Sequence, residues 1–190
     1  MQKNSAIILM GIKHSGKSTL GKLISEHFNV PFIDIDNEIT NISGKTPREI
    51  YIQNGPSVFL QKEEEACKKI ADEYAKKSVV ISTGGGICDN PPALNFLRPL
   101  GTFLYIETSE KIAFSRIIKK AERLPDGTWK NLPAWILKAS PKNEEQIKSI
   151  FHNFYEERTE KYKQIADLCI TVDAESKKEN AEKLISALNN

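Results

Sequence analysis

"AIILMGIKHSGKSTLGKLI", residues 6–24, passes from an unbroken apolar run through a glycine-punctuated polar loop into a helical pattern. The run Ala6 to Met10 is short and apolar throughout, as expected of a strand buried on both faces of a parallel sheet. The helical pattern follows as "STLGKLISEHF". Between the two, Gly11, Gly16, Lys17 and Ser18 meet the spacing G-x-x-x-x-G-K-[ST]. Each position has a physical reason. Glycines let the backbone turn tightly, so that successive N–H groups through Ser15 and on to Thr19 point at phosphate oxygens. Lys17 supplies a cation to β- and γ-phosphates, and Ser18 supplies a hydroxyl to Mg²⁺. The positive end of the helix dipole adds to both. A plain strand-to-helix turn would not need all of these together, so the stretch predicts a nucleoside triphosphate site. Lys13 and His14 lie inside the loop. Lys13 can add charge near the phosphates or simply sit in water, and His14 reads as a tolerated loop residue.

The rest of the chain sets bounds. It has 190 residues, 39% of them hydrophobic and 27% charged, which suits one compact α/β domain over residues 1–190. The net charge of +2 is spread along the sequence, giving no argument for nucleic acid or a membrane surface as a partner. Three separated cysteines without metal-ligand spacing fit free thiols in a cytoplasmic, reducing setting. The first apolar run is too short for a signal or membrane segment. A monomer is expected.

Further apolar runs at 79–82, 102–107 and 168–172 read as buried parallel strands, and "PFIDID" at 31–36 as a brief fifth. Their alternation with helical segments predicts a doubly wound sheet. Residues 122–142 break the pattern, with three prolines, a glycine and both tryptophans. This excursion reads as a lid or a packed loop, with Trp129 and Trp135 pinning it to the body.

Other features suggest what receives the phosphate. Asp34 and Asp36, two apart at a strand end, should face the same crevice at the sheet's carboxyl edge, although Asp36 can instead cap a following helix. Gly84, Gly85 and Gly86 follow a buried strand, where a backbone must come close to a ligand or adopt positive φ. Arg158 falls on the apolar stripe of Ile147, Phe151, Phe154, Tyr162 and Ile165, so it must snorkel outward or meet an anion.

Together these stretches resemble the shikimate kinase family of P-loop proteins, over nearly the whole chain. The likeness rests on "GIKHSGKSTLGKLI", "FIDIDNEI", "SGKTPREIYIQNG", "STGGGI" and "ERTEKYKQIADLCITV". It implies a three-layer α/β fold with a five-stranded parallel sheet. It also implies ATP with Mg²⁺ and phosphorylation of a hydroxyl on a small carboxylated ring, shikimate, in aromatic amino-acid biosynthesis. Carried over by position, Lys17 and Asp36 are catalytic and Ser18 and Asp34 hold the metal. Gly84, Gly85, Gly86 and Arg158 line the acceptor with Asp36, and Arg116 lies near the adenine or phosphates. Two departures stand out. Leu60 occupies a position where the family has an acceptor-clamping Arg, with Pro56 at a family Glu, and Leu124 or Leu132 precedes the lid proline in place of an Arg. Arg123, Arg48 and Lys62 are candidate replacements. The departures leave open a kinase of the same fold for another hydroxylated acid or sugar. A nucleotide-binding protein with little turnover is the third possibility.

Overall fold

The computed structural model describes residues 5–172 and 176–189. The chain opens with β1 (Ala6–Met10), α1 (Lys17–Phe28), β2 (Phe32–Asp34) and α2 (Ile35–Ser43). Helices α3 (Pro47–Asn54) and α4 (Pro56–Tyr74) lead to β3 (Val79–Ser82) and α5 (Pro91–Leu97). After β4 (Gly101–Thr108) and α6 (Glu110–Ile118) comes a small hairpin, β5 (Glu122–Arg123) with β6 (Trp129–Lys130). The short α7 (Ala134–Lys138), the long α8 (Glu144–Ile165), β7 (Leu168–Val172) and α9 (Lys177–Asn189) complete the described chain.

Five strands form one parallel sheet in the order β2-β3-β1-β4-β7. The apolar run Ala6–Met10 lies at its centre, where strand alternation divides its side chains between two cores. Ala6, Ile8 and Met10 pack on the face covered by α2, α4, α5, α6 and α8. Ile7 and Leu9 pack on the other face, under α1 and α9. β4 divides in the same way, with Phe103 and Tyr105 on one side and Leu104 and Ile106 on the other. This gives the three layers expected from the sequence. Because every strand runs the same way, all five carboxyl ends lie along one edge, where the crevice of such a sheet binds ligands.

The structure corrects two expectations and decides a third in favour of packing. "PFIDID" does not run as a strand through Asp36: β2 stops at Asp34, whose carboxylate accepts a hydrogen bond from the Asp36 N–H at 3.0 Å and caps α2. Cap chemistry therefore overrides strand alternation, and the cap is Asp34 and not Asp36. β7 is not buried throughout: it is an edge strand, with Cys169 and Thr171 exposed. The excursion at 122–142 is a packed element with secondary structure of its own. Leu132 and Ile136 are fully buried in the main core, and Trp135 stacks on Phe154 with centroids 3.8 Å apart. Trp129 packs at the edge of the same core, under the Arg123 guanidinium.

Candidate active site

The phosphate loop is the turn that joins β1 to α1. Gly16 precedes the helix with φ 104°, a left-handed conformation that a side chain would strain. No side chain caps α1 and its first turn carries no acid, so its leading N–H groups face the cavity. Lys17 folds back over the loop and donates to the carbonyls of Gly11 at 2.8 Å and Ile12 at 3.0 Å. Burial lowers its ammonium to about 8, against the pull of Asp36 and Asp34. Arg116 reaches from α6 and donates to the His14 carbonyl at 2.7 Å, holding the outer side of the loop. Burial and the neighbouring Lys120 and Lys13 take His14 down to about 4, so its ring is neutral near pH 7 and adds no charge.

A cavity of about 500 Å³ lies above this loop, lined at one end by Ser15, Gly16, Ser18, Thr19 and Arg116. At its other end stand Asp34, Asp36, Thr83 and Gly85. Where the two ends meet, Ser18 donates to the Asp34 carboxylate at 2.6 Å, with the Ser82 hydroxyl 3.3 Å from that of Ser18. These are hard oxygen donors, the set that Mg²⁺ prefers. Ser82, missed in the sequence reading, is carried to this corner by the pairing of β3 with β1. Asp36 stands on the first turn of α2, with its tip open to the cavity. Desolvation, then the neighbouring Asp34 charge, push its carboxyl above the ordinary range, while Lys17 and Lys13 pull the other way.

The three glycines give space to three different groups. A methyl at Gly84 would come within 2.9 Å of Glu63 Oε1 and 3.2 Å of Asp36 Oδ1. One at Gly85 would lie 2.8 Å from the Lys13 backbone nitrogen, and one at Gly86 3.0 Å from the Arg158 guanidinium. Close approach explains the triplet, because none of the three has positive φ.

Arg158 meets an anion, but one supplied by the protein itself. Its Nε and Nη2 donate to Asp89 Oδ2 at 3.2 and 2.8 Å, and Nη1 donates to the Gly85 carbonyl at 2.6 Å. Its guanidinium also lies over the Phe154 ring, 3.8 Å from the centroid. Desolvation opposes ionisation of Asp89, yet Lys161 and Arg158 hold its carboxyl below the ordinary range. Asp89 is a second residue the sequence did not reveal. Glu63, a position at which the sequence keeps the family residue, is fully buried on α4, and Asn90 donates to its Oε2 at 2.9 Å while Oε1 has no hydrogen-bond partner. Burial, aided by the Asp36 charge, raises its carboxyl to about 7. Leu60 lies one turn earlier on the same helix and brings no cation to it.

None of the three candidate replacement cations lines the cavity. Arg123 lies over Trp129 and reaches the Lys142 carbonyl, Arg48 donates to the Leu132 carbonyl at 2.8 Å, and Lys62 pairs with Glu65 at 2.7 Å.

A phosphate loop at the carboxyl edge of a parallel sheet, facing a carboxylate across one cavity, defines a P-loop phosphotransferase. A family model described as shikimate kinase matches residues 13–189. The shikimate kinase of Chlorobaculum parvum is 31% identical over 178 residues, which cover 92% of this chain and 87% of that protein. That of Aquifex aeolicus is 38% identical over 117 residues, 62% of this chain and 68% of the other. A crystal structure of shikimate kinase from Aquifex aeolicus superposes with a TM-score of 0.71 at 28% identity, covering 97% of this chain and 96% of that one. The chain belongs to the shikimate kinase family. It is an ATP-dependent phosphotransferase acting on a hydroxyl.

Glu63 gives this site a pH signature. Between about 4.5 and about 7 its carboxyl is protonated in the folded chain and ionised in the unfolded one. The folded state then holds the extra proton, so stability falls as pH rises through that window. Urea unfolding as a function of pH should show Glu63→Gln losing a part of this slope, on the order of 1–3 kcal/mol across the window. Identical slopes in the two proteins would mean that Glu63 is already ionised when folded.

Proposed function

We propose that the protein transfers the γ-phosphoryl group of ATP to a hydroxyl of shikimate, and that its site residues divide the work as follows. Lys17, the N–H groups from Ser15 to Thr19 and Arg116 bind the triphosphate. Ser18 and Asp34 would hold Mg²⁺, which when bound neutralises charge on the β- and γ-phosphates. Asp36 accepts the hydrogen bond of the reacting hydroxyl and takes its proton as the acceptor oxygen attacks phosphorus in line. The elevated affinity of Asp36 for a proton suits that task. Arg158, fixed by Asp89 on its Nε side, keeps one N–H on each of Nη1 and Nη2 beyond those used in its contacts, and these suit the acceptor carboxylate.

The observation that carries this reading is the convergence of Lys17, Asp36 and Gly85 on a single cavity. Lys17 serves the nucleotide, Asp36 the reacting hydroxyl, and Gly85 ties the acceptor end to the phosphate loop. Small-molecule action as a monomer in the cytoplasm is part of the same proposal. It is supported by the three free cysteines and by the few large apolar side chains exposed among the described residues, Ile42 and Ile52. Leu60 and the Asp89–Arg158 pair favour a second reading, in which the acceptor is another hydroxylated acid or a sugar with less need of a carboxylate clamp.

ADP release measured with shikimate and with a panel of polyhydroxy acids and sugars separates the two. Shikimate should stimulate release most strongly; stimulation by another acceptor alone would move the assignment to the second reading. Asp36→Asn should lower turnover by about 10²–10⁴-fold while MgATP binding survives, and unchanged turnover would remove Asp36 from the chemistry. Leu60→Arg places a cation one turn from the unpartnered oxygen of Glu63 and beside the acceptor end. It should lower the KM for shikimate roughly tenfold, the value of one charge-assisted hydrogen bond. A KM that rises or stays constant would show that the acceptor carboxylate does not approach this face of α4.

A further inference from the structure

Phosphoryl transfer spreads negative charge over the three equatorial oxygens of the moving group, and cations facing those oxygens accelerate it. The cations that line the cavity are Lys13, Lys17, Arg116, Lys120 and Lys177. Lys17 and Arg116 are tied to loop carbonyls on the nucleotide side. Lys120 follows α6 and Lys177 opens α9, and both line the cavity as well. Lys13 is placed differently. Its backbone packs against Gly85, within 2.8 Å of where a methyl there would stand, so its side chain leaves the loop at the seam between the nucleotide and acceptor ends. It lines the same cavity as Asp36, and its charge acts on that carboxylate. Among the described residues Lys13 has no ion pair, whereas Lys62 is paired with Glu65 and Arg158 with Asp89. Lys13 is an exposed residue of the cavity lining; partial desolvation lowers its affinity for a proton, Asp36 opposes this, and Arg48 and Lys120 add repulsion.

We propose that Lys13 is a catalytic residue: its ammonium meets the transferred phosphoryl from the acceptor side, opposite Lys17, and stabilises the charge that develops during transfer. As the acceptor oxygen bonds to phosphorus, the bond from phosphorus to the β,γ-bridging oxygen breaks and the hydroxyl proton passes to Asp36. Lys13 forms no bond and gives up no proton; it neutralises the equatorial oxygens throughout. This assigns the charge-stabilising work to the phosphate loop itself, where Arg123 and Arg48 of the neighbouring elements are engaged elsewhere. The inference rests on the ATP–shikimate reading above.

The test compares Lys13→Met and Lys13→Arg with the full wild-type chain, using MgATP and shikimate. For Lys13→Met, kcat should fall about 10- to 100-fold, while both KM values stay within about threefold and the melting temperature is unchanged. Lys13→Arg should recover most of the rate, because it keeps the charge. A second arm measures binding of MgADP with aluminium fluoride, a mimic of the moving phosphoryl, against MgADP alone. Lys13→Met should weaken the first and spare the second. A kcat within twofold of wild type, or an equal loss of affinity for MgADP with and without aluminium fluoride, would overturn the proposal. If the wild type itself releases no ADP with shikimate, the acceptor assignment fails, and the aluminium fluoride comparison still decides the role of Lys13.

Discussion

The Thr83–Gly86 backbone lies directly against the phosphate loop, and the arrangement of the site depends on that contact. Thr83 donates through both its N–H and its hydroxyl to the Leu9 carbonyl, which anchors the segment to β1. Gly85 then meets the Lys13 backbone at a distance that no side chain would permit. On the far side the same glycines press against Glu63, Asp36 and Arg158. A loop that binds phosphate and a surface that receives it are thereby held at fixed separation by main-chain atoms, the least deformable part of the protein. Proximity of this kind removes much of the entropic barrier between two bound reactants.

Around that seam the charges are set against one another. Asp34 and Asp36 repel, and Ser18 and Lys17 relieve them in part. Glu63 has no ionic partner at Leu60, and burial raises its carboxyl to about 7. Arg158 is not loose: Asp89, Gly85 and Phe154 fix its plane before any acceptor arrives, at the expense of half-neutralising it. The acceptor end therefore offers a weaker positive field than two free arginines would. Its selectivity for a carboxylate depends on geometry at the open edge of one guanidinium.

How much of this could be read from sequence follows from how local each feature is. Strand, loop and helix from Ala6 to Phe28 are contiguous, and their residue types serve one purpose, so this strand–loop–helix unit was legible. The parallel, doubly wound sheet followed from the alternation of apolar runs and helices, whereas the order β2-β3-β1-β4-β7 did not. Asp36 was found for the wrong structural reason. Strand alternation pointed it at the crevice, whereas it is the turn of α2, started by the Asp34 cap, that carries it there. The signal for that helix start was present in the acids of "DIDNE", and β-alternation was the wrong period to apply. Asp89 was not legible: it lies 69 residues from Arg158, and nothing in "GICDN" says which cation it meets. Ser82 and the unpartnered oxygen of Glu63 are likewise products of tertiary packing. The excursion after α6 packs as one of its two readings expected, but its prolines hid the short elements within it, which Leu132 and Ile136 anchor.

The central claim is that the seam delivers the γ-phosphoryl to a hydroxyl held by Asp36 and not to water. Phosphorus NMR of the protein with MgATP and shikimate tests this most directly. The account predicts that the γ-phosphorus signal is replaced by that of a phosphate monoester in equal amount to the ADP formed, with little inorganic phosphate. Accumulation of inorganic phosphate in step with ADP, or an unchanged ATP spectrum, would contradict it.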